Sequence, residues 1–380
     1  VSDPKPPAPV RPDGVWKVGK PLIGCRFDPT GRFLFASAED HVVRRLDLRT
    51  GGVAGFTGHA SWVRGMAFVA HARPAVRAAD DPPPGLLAVG GGPAQSAAPR
   101  PEPFTVVTGD YHGKLLWWRG DLPAPTAIRS VEAHDGWVRA VAVSPDGSVV
   151  ASCGNDHLVK LWRAADGSFL RALTGHDCHV YNLAFHPAGD RLASCDLRGV
   201  VKDWDWRAGR CVRELDAKPL HKYDAGFRAD IGGARGMAFD PAGWRLAVAG
   251  ITNVSNAFAG IGNPLVMTLD WATGKPTQLK PKEAFEGTAW GVGLHPSGAV
   301  VAAGARSGGR VWVWAGDDPT STATANVPSD CRDLALSPAG ERAAVACWDG
   351  TVYFYALTLT ATAPPPRPAA PPAVTARPDR

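Results

Sequence analysis

Two sets of residues in this sequence have the types and spacing to do chemistry. His134, Ser152 and Asp156 form a hydroxyl, imidazole and carboxylate set of the kind that activates a nucleophile. Arg64, Arg139, Arg235 and Arg332 form the second set, with Trp62, Trp137, Tyr181 and Trp290 at neighbouring or matching positions. A guanidinium grips carboxylate or phosphate through two parallel hydrogen bonds and stacks on aromatic rings, so this set suits recognition of an anionic segment. Deciding between them requires the elements that would hold each residue.

Those elements are repeats. His134 to Trp162 (HDGWVRAVAVSPDGSVVASCGNDHLVKLW) is echoed by His176 to Trp204 (HDCHVYNLAFHPAGDRLASCDLRGVVKDW), with His, Pro, Ser and Trp of the two copies 42 positions apart. A fixed period of that size marks a repeat architecture. The turn "Pro, any residue, Gly" recurs within FDPTG at Phe27–Gly31, SPDG at Ser144–Gly147, HPAG at His186–Gly189, FDPAG at Phe239–Gly243, HPSG at His295–Gly298 and SPAG at Ser337–Gly340. A seventh unit keeps its flanks, GHASWVRGMAF from Gly58 and VVTGDYHGKLLWW from Val106, but roughly thirty residues rich in Ala, Pro and Gly replace its turn. This insertion, residues 69–103, reads as an exposed, disordered-like loop.

Within a unit the segments WVRAVAV, SVVASC and HLVKLW are short, alternating, rich in β-branched residues and bounded by turn formers, which predicts strands. With the connecting segment each unit has four. Seven four-stranded antiparallel sheets bury their faces against one another radially, so the expected fold is all-β: a seven-bladed β-propeller. The last unit ends after TVYFYAL without a fourth strand, while DGVWKVGK (Asp13 to Lys20) lacks a partner; pairing them closes the ring with an N-terminal strand. The expected organisation is an N-terminal tail (1–13), one propeller (14–358) and a Pro-rich, basic C-terminal tail (359–380).

GH about thirty residues before a Trp, Asp in the turn ahead of the last strand, and Trp204–Asp205 at its end resemble the WD-repeat family, over roughly residues 14 to 358. In that family His, Ser or Thr, Asp and Trp form a hydrogen-bonded network inside a blade. Matching positions complete the set here in the third unit alone: His134, Ser152, Asp156 and Trp162. Elsewhere it is eroded: Ala36 and Leu46 in the first unit, His112 at the Asp position of the second, Arg198 there in the fourth, and Tyr355 for the Trp of the seventh. The resemblance makes His134, Ser152 and Asp156 framework, not a catalytic triad.

The resemblance also places the arginine column on the upper rim, where such propellers bind partners. The rim lacks a carboxylate pair, a nucleophile beside a base, and a histidine cluster with ligand spacing, so the chain is expected to be no enzyme and to hold no cofactor or metal. The expected function is a scaffold binding an acidic or phosphorylated protein segment; a propeller-mouth hydrolase or lyase and a single-stranded nucleic-acid binder are the alternatives. The competing role for the arginines is pairing with Asp330, Asp333 and Glu39. Two long segments of the fifth unit, Lys218 to Gly233 and Gly250 to Pro264, should lie side by side on the same face and add Tyr223 and Phe258 to the partner-binding set, or else cap the channel.

Composition sets the limits. With 41 basic and 36 acidic residues the net charge is +5, too modest to predict nucleic-acid or membrane binding. The 7 cysteines have no CxxC spacing, which predicts free, buried thiols. No apolar run is long enough to span a membrane, and no signal peptide is present, so a cytoplasmic location is expected, although the chain starts at Val1 in the manner of a processed or excised form.

Overall fold

The structure, a computed structural model, describes residues 8–70, 103–256, 261–306, 308–316 and 318–360. They form a ring of seven four-stranded antiparallel sheets. The innermost strands, in order, are Leu22–Phe27, Val63–Ala70, Val138–Val143, Val180–Phe185, Gly236–Phe239, Thr288–Leu294 and Cys331–Leu336. Each blade packs its apolar face on the next: one buried cluster joins Val107, Leu115 and Trp117 of blade 2 to Val138, Val141 and Trp162 of blade 3. Near the axis the inner strands approach closely. A Cβ on Gly291 would lie 2.3 Å from the Leu334 backbone nitrogen, so glycine alone fits between blades 6 and 7 there.

Blade 7 takes its outer strand from the chain's beginning: Val10–Lys17 pairs with Thr351–Leu357, Val10 opposite Leu357 and Lys17 opposite Thr351. The ring is therefore closed by an N-terminal strand, which starts at Val10, within the segment read as a tail. Pro12, Asp13 and Gly14 look like a turn in sequence. In the fold the register shifts between Pro12 and Gly14, a bulge on an outermost strand, where a missing proline N–H costs nothing. Asp13 is anchored there by Arg342 at 2.6 Å.

The insertion also differs at its edges. Val69 and Ala70 continue the inner strand of blade 2, and Phe104 to Asp110 resume pairing with it, with Ala70 opposite Phe104; residues 71–102 lie outside those described. In blade 5 the two long segments are hairpins, not open loops. His221–Asp224 pairs with Ala229–Gly232, and Arg245–Asn256 with Ile261–Asp270. Lys222 Nζ donates to the Val254 carbonyl at 2.6 Å, tying the two together. All seven cysteines are free; Cys211 is exposed and the other six are buried.

Candidate partner interface

The frame beneath the rim is a buried polar chain. Trp162 Nε1–H donates to Ser152 Oγ at 2.9 Å, Ser152 Oγ lies 2.7 Å from His134 Nε2, and His134 Nδ1 lies 2.8 Å from Asp156 Oδ1. With the imidazole proton on Nδ1, every donor in the chain meets an acceptor. Burial, only partly opposed by Asp156, holds the His134 pKa below its ordinary value. Burial alone would raise Asp156, but hydrogen bonds and charge from His134 and Lys160 outweigh it and hold its carboxyl well below the usual range. Ser152 is fully buried, with its hydroxyl committed to both Trp162 and His134, so no substrate reaches it.

Blades 2 and 4 contain the same chain, contrary to the expectation that blade 3 alone is complete. His59 Nδ1 lies 2.8 Å from Asp110 and its Nε2 2.7 Å from Thr108, which accepts from Trp118 at 2.7 Å. His176 meets Asp196 at 2.9 Å and Ser194 at 2.7 Å, and Ser194 accepts from Trp204 at 2.7 Å. The carboxylate comes from the end of the second strand, two residues after the hydroxyl, whereas Asp156 stands four residues after Ser152 in the turn. Either route reaches His Nδ1. The second oxygen of Asp110 and of Asp196 also accepts backbone N–H groups of the following turn. His112 and Arg198, which stand where the Asp was sought, are outside the network; Arg198 instead pairs with Asp230 at 3.0 Å.

The column read from sequence has one structural cause. Register shifts between Leu22 and Gly24, Val63 and Gly65, Val138 and Ala140, Val180 and Asn182, Ala289 and Gly291, and Cys331 and Asp333 make Ile23, Arg64, Arg139, Tyr181, Trp290 and Arg332 the extra residue of a β-bulge. A bulge bends the strand and re-aims its side chain, here at the mouth of the channel. Arg235 holds the matching place ahead of Gly236, its N–H donating to the Ala249 carbonyl at 2.7 Å.

Around that mouth, rings and guanidinium groups alternate. Arg139 lies over Trp137 and Tyr181, each at 4.3 Å; Arg235 is 5.1 Å from both Tyr181 and Trp290; Arg332 is 5.2 Å from Trp290 and 4.6 Å from Trp348. Tyr111 stacks on Trp137 at 4.0 Å and reaches Trp62 at 6.1 Å. Tyr181 and Trp290 each lie within 5.2 Å of two guanidinium groups, and the negative ring face offsets the repulsion between the like charges. Trp62, Trp137 and Trp348 are each more than a third exposed, so the arc carries open apolar surface beside its charge.

None of the four arginines of the column forms an ion pair with a carboxylate among the described residues. Asp333 pairs with Arg26 at 2.5 Å, and Asp330 accepts the Gly308 N–H at 2.8 Å. Arg64 differs from the other three. It reaches across the channel to the Ile23, Arg332 and Arg235 carbonyls at 2.7, 3.1 and 3.1 Å, which ties blade 2 to blades 1, 7 and 5. Burial, with Arg139 and Arg64 nearby, lowers the Arg235 pKa, and burial lowers that of Arg332. Tyr223 stands more than half exposed on the inserted hairpin, outside the arc of ring contacts, and Phe258 lies outside the described residues.

Sequence reading missed Tyr111, Trp348 and Asn155, whose Oδ1 accepts from Arg139 Nε at 2.8 Å. All three follow the second strand of their blades, and their backbone N–H groups bond to Trp62, Asp330 and Trp137 carbonyls respectively. A second column aligned at that position would have exposed them.

Seven four-stranded sheets in a ring define a β-propeller, and the His, Asp, hydroxyl and Trp chain repeated in three of its blades is of the kind found in WD repeats. The family model "WD domain, G-beta repeat" matches residues 125–163, 167–205 and 319–355. Among similar proteins, the small ribosomal subunit protein RACK1y of Oryza sativa subsp. japonica is 38% identical over 73 residues, 19% of this chain and 21% of that protein. The ribosome biogenesis protein WDR12 homolog of Chlamydomonas reinhardtii is 41% identical over 73 residues, 19% of this chain and 16% of its own length. The WD repeat and SOCS box-containing protein 1 of Mus musculus is 48% identical over 54 residues, 14% of this chain and 13% of its own. The matches thus span about a fifth or less of each relative's length. Among the described residues, no helix is long and apolar enough to cross a membrane.

Proposed function

We propose that this protein is a non-catalytic interaction scaffold whose rim binds an acidic or phosphorylated segment of a partner protein. The observation that carries this reading is the arc itself: Arg139, Arg235 and Arg332 are held between aromatic faces, with no carboxylate partner among the described residues. Orienting a guanidinium on a ring preserves its hydrogen-bonding edge for a ligand, and an anion would relieve the repulsion along the arc. Exposed Trp62, Trp137 and Trp348 supply the apolar anchors that interfaces use beside charge. The similarity to proteins of ribosome assembly and of SOCS-box type agrees with an adaptor role.

Affinity purification with mass spectrometry, comparing wild type with Arg139→Glu, tests the reading. A set of proteins lost in the variant and in high salt supports it. Recovery of the same set from both, or of nucleic acid in place of protein, would count against it.

A further inference from the structure

Behind the arc, the inner strands of blades 1 to 5 line a channel cavity of about 250 Å³, and its lining includes Arg26, Arg64, Arg139 and Arg235. Arg26 is neutralised by Asp333. Arg64 is fixed by three carbonyl groups, but carbonyls leave its charge uncancelled. Arg139 uses only Nε, on Asn155. Arg235 donates no side-chain hydrogen bond to any described residue, and its Nε is buried without a partner. Among the described residues, three positive charges therefore border one small cavity with no carboxylate of its lining left to balance them, an arrangement that costs free energy unless an anion is bound.

The geometry favours a compact, multivalent anion. Arg139 and Arg235 flank Tyr181 at 4.3 and 5.1 Å, so their guanidinium carbons are within about 10 Å of each other. A tetrahedral oxyanion that accepts a single hydrogen bond of about 2.7–2.9 Å from each guanidinium can reach both, and it keeps more acceptor positions for a third cation than a planar carboxylate does. The volume holds such an ion with hydration, a water molecule occupying about 30 Å³.

We propose that this cavity is a seat for an oxyanion of the phosphate class, gripped by Arg139 and Arg235 with Arg64 as a fixed positive wall. The seat rests on the rim reading, with which it shares Arg139 and Arg235, and it adds Arg64 while leaving out Arg332, Trp290 and Trp348, which are absent from the lining. The phosphate group could arrive as a free ion or on a partner's phosphorylated side chain entering the mouth.

Calorimetric titration of the full chain with inorganic phosphate, in chloride buffer of matched ionic strength, is the test. Wild type should bind one phosphate saturably. Arg235→Gln should weaken binding about tenfold or more, yet melt no lower than wild type in chloride, because it removes an unbalanced charge. Arg332→Gln, outside the cavity, should retain phosphate binding even if it loses protein partners, which separates failure of the seat from failure of the rim. Should Arg235→Gln not fold, Arg139→Gln gives the same reading. Competition between orthophosphate and a phosphoserine peptide marks a phosphate carried by the partner, and independent binding marks a free ion; either satisfies the proposal. Equal phosphate effects on wild type and both variants would reflect general salting and overturn it.

Discussion

Blades 2, 3 and 4 join their strands through a buried polar chain, whereas blades 1, 5, 6 and 7 fill the same places with apolar side chains. Opposite the positions of Thr108, Ser152 and Ser194 in the alignment stand Ala36, Val248, Ala302 and Val345, and for Trp118, Trp162 and Trp204 stand Leu46, Leu269, Trp314 and Tyr355. Once the hydroxyl is gone, the remaining polar groups turn elsewhere. Trp314 Nε1–H donates to the Lys280 carbonyl at 3.0 Å and Tyr355 O–H to that of Asn326 at 2.6 Å. Asp40 pairs with Arg44 at 2.6 Å, and Asp349 accepts from Tyr353 O–H at 2.8 Å. The network is kept whole or dissolved, because one stranded member would be an unpaired buried polar group costing about 1 to 3 kcal/mol.

The sharpest break of this comparison should come at blade 7, which has no polar chain and depends on strands from both ends of the chain. Deleting residues 1–17 removes the partner of Thr351–Leu357 and uncovers a sheet edge; loss of soluble monomer in size-exclusion chromatography is expected. Next in size, Asp110→Ala and Asp196→Ala should each cost about 1 to 3 kcal/mol in urea unfolding, as should Asp156→Ala. Asp40→Ala and Asp349→Ala should move the midpoint far less, since the Asp40–Arg44 pair is only partly buried and the Asp349–Tyr353 bond is exposed. Equal effects across the two groups would erase the distinction between the blades.

Arg64→Ala should cost about 1 to 2 kcal/mol of stability, because its donors span the channel, while Arg332→Ala should leave the melting temperature unchanged and weaken partner binding.

A pH series sharpens the comparison more gently. His134 has a folded pKa below its ordinary 6.5, so the unfolded chain takes up the proton first and stability falls as pH drops below 6.5 toward the folded value. The depressed Asp110 and Asp156 add a further loss below 3.8, as pH falls through their folded pKa values. Urea midpoints should therefore be flat above 6.5 and decline below it, with a shallower decline in His134→Asn. The smallest effect belongs to Arg198→Ala: its pair with Asp230 is exposed, and no change in urea midpoint is expected.

Local chemistry made the ring legible. The turn formers, the 42-residue echo and the alternating strands each follow from a few adjacent residues, so seven blades, their closure by the first strand and the arginine column could be read directly. The polar chains of blades 2 and 4 could not. The repeat pattern puts the aspartate at one turn position, whereas the three-dimensional reach of Asp110 and Asp196 from a strand end places them on the same imidazole nitrogen.

The rim divides in the same way. Sequence determined which residue types share a column, because the repeat period is written into the chain. Tertiary structure decided what each one does. Backbone bulges aim the column at one mouth, the curvature of the ring sets ring and guanidinium in alternation, and the width of the channel lets Arg64 reach carbonyls on three other blades. Those contacts join residues up to 268 positions apart. Such pairings depend on where the closed ring brings distant blades, and no local pattern of side chains encodes that distance.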